Sequence, residues 1–299
     1  MRGVVALSVL LLGAAVGVQA ARERYVPAAP QLLPTLWMRS PAALDRVALS
    51  FDQIVADVYW IRSLVYYGAV RQSTAVVKNY ELLYPLLDIT TSLDPRFLLA
   101  YRMGAIFLSE GYPGGPGRPD LAIQLLRKGL EHKVTRERQE AQWQLAHDIG
   151  FVYFWTYGDY EQAAEWLDRA SRVPNSPAWL KPIVAGMLLR GGDRHTARAL
   201  WEEIRRTDVD VLKQAAELRL LQLDAQDQIE ALHSSIAQLT LSTGRRPASW
   251  EDLIAARRLR GIPRDPSGTP YVMHPETARV TVAPHSPLFP MPDQLTPTP

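Results

Sequence analysis

From Ser50 to Thr243 the apolar and small residues recur three and four positions apart, the spacing that aligns side chains on one face of a helix. The clearest stretch is YGDYEQAAEWLDRAS at 157–171, where a Gly-Asp-Tyr turn precedes Ala163, Ala164, Leu167 and Ala170 on a single face. Just upstream, LAHDIGFVYFW carries Ile149, Gly150 and Tyr153 on a preceding helix. The two segments read as a helix hairpin, with Gly150 and the alanines small enough to let the helices approach closely.

The same pattern predicts the other helices. Ser50 and Gln53 form a capping box for a helix that runs through IVADVYWIRSLVYYG to Gly68. A second spans about Tyr80 to Ser92 and is closed by Asp94-Pro95, and Pro85 either starts its regular part or kinks it. The next pair holds Met103, Gly104 and Phe107 on one helix and Ala122, Leu126 and Gly129 on the other, joined by an expanded turn, GYPGGPGR. After the 157–171 hairpin comes a pair with Trp179, Val184 and Ala185, a turn at Gly191-Gly192-Asp193, then Ala197, Leu200 and Trp201. A last pair covers about Leu212 to Leu223 and Asp227 to Thr243. Ala163, Ala197 and Ala231 are spaced 34 residues apart, whereas Ala122 and Ala163 are 41 apart, which places an extra turn or longer connection near 130–142.

This period, with its small and large residues in those places, resembles the tetratricopeptide repeat, closely over 97–205 and in outline over 49–243. The resemblance implies an α-solenoid of about four to five stacked hairpins whose function lies in a grooved surface, and it names no activity. Arg219 stands where the family has a small residue, so the last pair reads as a degenerate repeat that caps the solenoid.

From Gly244 the helical period stops. Ser249 caps a short helix with Asp252 three residues on, and Pro and Gly turns then bracket two short strands, Tyr271 to His274 and Arg279 to Val282. The core Pro263, Asp265, Pro266, Gly268, Pro270, Tyr271 resembles the C-terminal turn-and-strand region of type II secretion pseudopilins, over about 40 residues and without the long N-terminal pilin helix. Residues 284–299 are Pro-rich and aperiodic, the pattern of a disordered tail.

At the other end, Arg2 precedes an apolar run from Val4 to Val18, and Val18-Gln19-Ala20 offers small residues where signal peptidase reads. Residues 1–20 are read as a secretory signal; the alternative is an uncleaved anchor that tethers the protein to a membrane, for which the run is short. A cleaved signal implies export, and in a bacterium the periplasm or cell envelope. Residues 21–48, with Pro27, Pro30, Pro34 and Pro41, form a Pro-rich extended lead-in.

Composition adds three restrictions. A hydrophobic content of 47% suffices for a core. The 33 basic and 31 acidic residues leave a net charge of +2, no field for gripping nucleic acid. With no cysteine there are neither disulfides nor thiolate metal sites nor a cysteine nucleophile. The six histidines show no metalloprotease spacing and no Gly-x-Ser-x-Gly elbow occurs, so no catalytic, metal or cofactor residue is assigned. His147-Asp148 resembles an acid/base pair only on paper, because adjacent helical residues point about 100° apart. The glycines at 111–117 lack the Gly-Lys-Ser/Thr of a phosphate loop, and Asp265 alone is too few ligands for calcium.

Partner binding is assigned instead to the aromatics Tyr101, His147, Phe151, Phe154, Trp155 and Trp179, on or near a concave side, and to the basic residues Arg245, Arg246, Arg257 and Arg258. The expected fold is all-α, a TPR-like α-solenoid over 49–243 with a small C-terminal α+β appendage, a β-hairpin module at 244–283. The expected role is a non-enzymatic scaffold in an envelope machine, a pilus or type II secretion system. The alternative is a glycan- or peptidoglycan-binding accessory protein whose aromatics stack on sugar rings.

Overall fold

The computed structural model describes residues 13, 14, 16–18, 51–132 and 142–292. The predicted signal or anchor, the lead-in with Leu36 and Trp37, Ser50, the longer connection before residue 142 and the last seven residues of the tail lie wholly or mostly outside them. The described chain is mostly helical, with neighbouring helices packed as hairpins and one two-stranded antiparallel sheet near its C-terminal end. Among the described residues no helix is long and apolar enough to cross a membrane. The chain divides into two compact units, residues 1–121 and 122–299.

In the first unit α1 (Asp52–Gln72), α2 (Leu83–Leu93) and α3 (Leu98–Ser109) pack each on the next. Phe51, and no serine, sits at the N-cap of α1, without a side-chain cap bond. Gly68 does not end the helix, which runs one further turn to Gln72. Pro85 falls in the first turn of α2, where its missing N–H would have had no intrahelical acceptor, so it starts the helix rather than kinking it. Leu83, Leu86, Leu87, Ile89 and Leu108 fill the core together with Tyr59 and Tyr101. Tyr66 donates to Asn79 O at 2.7 Å, and Arg71 Nη1 donates to both Tyr67 and Glu110 at 2.8 Å. Burial, followed by its bond to Glu110, pushes the Tyr67 phenol up to about 12. The glycine-rich turn after α3 is structural: a Cβ on Gly115 would stand 2.6 Å from Glu110 O and 2.8 Å from Phe107 O.

The helix α4 (Pro119–Glu131) starts in the last residues of the first unit and lies mostly in the second, where its Arg127 is over the Trp166 ring at 5.2 Å. Then α5 (Gln142–Val152) runs into a π turn (Tyr153–Tyr157), followed by α6 (Tyr160–Ser171), α7 (Leu180–Arg190), α8 (Arg194–Arg205) and α9 (Asp210–Thr243). Each of α5 to α9 packs against the next in sequence. The repeat shows in the caps: Asp159 accepts from Gln162 N and Asp193 from Thr196 N, both at 2.9 Å, satisfying the free amides of α6 and α8 alike. Gly158 and Gly192, just before these aspartates, adopt positive φ of 64° and 87°. Close approach of α5 and α6 rests on Gly150, where a Cβ would sit 2.8 Å from Leu167 Cγ and 3.1 Å from Ala163 O.

Two expectations are corrected in the last part of the chain. The predicted helix pair 212–223 and 227–243 is one helix, α9, of 34 residues. No Gly or Pro interrupts 210–243, and Asp224 and Asp227, at the expected junction of the two helices, are ion-paired to Arg198 and Arg194 on α8. The helix ends only at Gly244, with φ 70° and an amide donating to Thr240 O at 2.9 Å.

The C-terminal segment is also no detached appendage on a polar cap. The predicted capping box of Ser249 and Asp252 starts α10 (Trp250–Ala255), and β1 (Val272–Met273) pairs with β2 (Val280–Thr281) in antiparallel register, Val272 opposite Thr281. Trp250, Leu253, Tyr271, Met273, Val280, Val282 and Leu288 form one core with Leu232, Ile236 and Leu239 of α9. Tyr271 donates to Gln228 Oε1 at 2.8 Å, and His233 Nε2 accepts from Val280 N at 2.9 Å. The start of the expected disordered tail is part of this body: Leu288 is buried, and Gln222 Nε2 on α9 donates to Leu288 O at 2.8 Å and Pro290 O at 3.1 Å.

Candidate functional site

Along α5 and its π turn, Trp143, His147, Phe151 and Trp155 succeed one another at intervals of four residues. Neighbouring ring centroids are 6.3, 6.3 and 6.1 Å apart, the last pair almost parallel at 5°. Trp179, at the N-cap of α7, closes the lower end, edge-on to Trp143 at 6.0 Å and to His147 at 5.7 Å. Phe154 meets Phe151, Trp155 and Tyr160, and Arg190 stands over its ring at 5.7 Å. Phe151, Trp155 and Trp179 remain 50%, 74% and 45% exposed, a contiguous aromatic surface, whereas Trp166, Trp201, Trp250 and Tyr271 of the same unit are buried.

Local backbone geometry assembles this surface. Five consecutive bulky residues, YFWTY, occupy the π turn, and Gly158 N–H closes it on Tyr153 O, five residues back. Widening the turn brings residues four apart nearly into line, so Phe151 and Trp155 stack and Tyr153 and Tyr157 meet at 5.7 Å. None of the five π-turn residues is buried. The inward face of α5 instead supplies Leu145, Ala146, Ile149, Gly150 and Val152 to the contact with α6.

Of the residues singled out from sequence, His147, Phe151, Phe154, Trp155 and Trp179 come together here. Tyr101 does not belong with them as a surface group: it is 2% exposed, in the core of the first unit, its hydroxyl donating to Thr91 O at 3.2 Å. Trp143 completes the row and was overlooked, although its i, i+4 relation to His147 was legible. His147 and Asp148 do bond, Nδ1 to Oδ1 at 2.9 Å, despite the divergence of adjacent helical side chains. Both are short enough to lean together, and the bond fixes the imidazole among the rings.

Arg245, Arg246, Arg257 and Arg258 are all exposed, on the two sides of α10. Arg258 Nη1 donates to Gln238 Oε1 of α9 at 3.3 Å, folding this end of the module back on the long helix. Among the described residues no bond or ring contact joins these arginines to the aromatic row. Asp265, weighed as a cation ligand, is occupied within the chain. It accepts from Ser267 N at 2.9 Å, Ser267 Oγ at 2.6 Å and Thr269 N at 3.0 Å, and also from Ser286 Oγ. Burial alone would raise its carboxyl, but the bonds from Ser267, Ser286 and the Thr269 and Ser267 amides outweigh it and hold the group below the ordinary carboxylate value. Among the described residues no three His, Asp or Glu side chains gather in a way that could hold a metal ion.

A comparison with protein-family models, with curated proteins and with solved structures finds no match to this chain.

Proposed function

We propose that this protein is a non-enzymatic scaffold that binds a protein partner through the aromatic row of α5 during assembly of a cell-envelope machine, a pilus or type II secretion system. The exposed rings of Phe151 and Trp155, with Trp179, carry the reading. Leaving such rings in water forgoes about 2.5 kcal/mol for every 100 Å² of apolar area left uncovered, and Trp is prominent among the residues that dominate interface energies. The surface is built on packed helices, so little ordering cost opposes its use. A π turn held at one site fits the same view, since such turns gather at functional positions. The envelope assignment rests on sequence: the apolar run from Val4 to Val18 before Ala20, and the pseudopilin-like residues 263–271.

The near-parallel Phe151 and Trp155 rings also suit stacking on a sugar, which favours the glycan-binding alternative as the second reading. Co-purification from envelope extracts separates the two. The scaffold reading expects defined proteins to be retained by the parent and lost with Phe151→Ala/Trp155→Ala, with unchanged helicity. Retention of glycan fragments but no protein by the parent would favour the alternative.

A further inference from the structure

In the second unit, α7, α8 and α9 enclose a cavity of about 650 Å³ that Pro292 helps to line. Its walls are largely apolar, from Ile183, Leu189, Trp201 and Ala215, and none of its lining residues is acidic. Three guanidinium groups border it: Arg190 from α7, Arg194 from α8 and Arg219 from α9. Asp227 and Glu230 neutralise Arg194, at 3.2 and 2.7 Å. Arg219 donates to the neutral Gln222 amide at 2.8 Å, and Arg190 lies over the Phe154 ring, so neither has a carboxylate among the described residues.

Two polar groups in the lining are also left without partners. Gln226 is 8% exposed, and its amide, which makes no hydrogen bond among the described residues, is not fully buried. Trp201 is 4% exposed, and its indole N–H is buried with no acceptor. A protein interior rarely leaves a group such as this indole N–H unpaired without a use for it. Two unneutralised cations, two unmet amide or indole groups and an apolar body together describe the complement of one ligand type.

We infer that this cavity is a binding site for a carboxylate borne on an apolar body, the carboxylate meeting Arg190, Arg219 and the Gln226 amide while the apolar part lies against Ile183, Leu189 and Trp201. Such a group comes either as a small free organic acid or as the end of a peptide with an apolar last residue. The site adjoins the aromatic surface where Arg190 lies over Phe154, but the inference does not depend on the scaffold reading.

Titration of the full chain with 4-phenylbutyrate tests it, followed by the indole N–H resonance of Trp201, assigned with Trp201→Phe. A saturable shift is expected, with 4-phenylbutanol, which lacks the charge, about tenfold weaker or worse. Arg190→Gln/Arg219→Gln should weaken the acid to the level of the alcohol while the remaining spectrum stays dispersed. Acetyl-Ala-Phe with a free carboxylate, compared with its amide, distinguishes the sources: tighter binding than phenylbutyrate points to peptide ends, weaker binding to free acids. Equal binding of acid and alcohol, or no saturable shift with any of the probes, would overturn the inference. The comparison of ligands on the unaltered chain decides the matter even if the double variant fails to fold.

Discussion

Replacing Gly150 probes the repeat packing at its tightest point. A Cβ there would stand 2.8 Å from Leu167 Cγ and 3.1 Å from Ala163 O. Leu167 is 3% exposed and the other obstacle is backbone, so neither yields freely. Overpacking of this kind costs about 1–3 kcal/mol, whereas replacing a helical glycine by alanine returns up to about 1 kcal/mol of propensity. Gly150→Ala should therefore lose about 0–2 kcal/mol. Gly150→Val, with two more methyl groups in the same space and a smaller propensity gain, should lose about 1–3 kcal/mol or slightly more. Gly186 in α7 is the internal control: a Cβ there meets nothing within 4 Å, so Gly186→Ala should gain about 0.5–1 kcal/mol. At about 2–4 °C per kcal/mol for a unit of this size, thermal melts by circular dichroism resolve the series. The predicted order of Tm is Gly186→Ala, parent, Gly150→Ala, Gly150→Val. A Gly150→Ala variant that gains as much as Gly186→Ala would show that α5 and α6 do not approach as described.

Further predictions follow from the C-terminal half of the second unit. Truncation after Thr243 uncovers Leu232, Ile236 and Leu239, each worth about 1.5–3 kcal/mol of burial, a sum comparable with the whole stability of a domain. The shortened chain should lose its cooperative melt, and an unchanged Tm would refute the shared core. Acid should weaken the module in two stages. His233 is lowered by burial and then by Arg279, just before β2, against the opposing pull of Glu230, itself paired with Arg194. A lowered folded value means stability that is complete above the unfolded value and declines as pH falls below about 6.5. Asp265, also lowered, adds a loss beginning below about 3.8. In pH-dependent urea titrations His233→Gln should flatten the first stage and Asp265→Asn the second; profiles parallel to the parent's would contradict the assignment.

The hairpins of α5 to α8 were legible because Ala163, Ala197 and the Gly-Asp turns repeat, and because small residues facing one another leave few other ways to pack. The aromatic row was legible in its members, since helical spacing put most of them on one face. The π turn was not, because its hydrogen-bond shift depends on five bulky side chains finding room together. Tyr101 was misplaced for a related reason: an aromatic on a helix looks the same in sequence whether its hydroxyl meets water or, as here, the Thr91 carbonyl. The continuous α9 escaped because the repeat period suggested a break that Asp224 and Asp227, ion-paired to α8, do not make. The Pro-rich composition of 284–292 hid Leu288 and Ser286, whose burial depends on Gln222 and Asp265 far away in sequence.

The central claim, that a protein partner docks on the aromatic row, is tested most directly by placing a photo-crosslinking amino acid at position 155 and, as a control, at position 241. Leu241 is 86% exposed on α9, as accessible as Trp155 but away from the row. Irradiation in cells should give a discrete higher-mass adduct with a protein from position 155 and none from 241. Equal labelling from both positions, or none from 155 while the protein still co-purifies with its partner, would contradict the account.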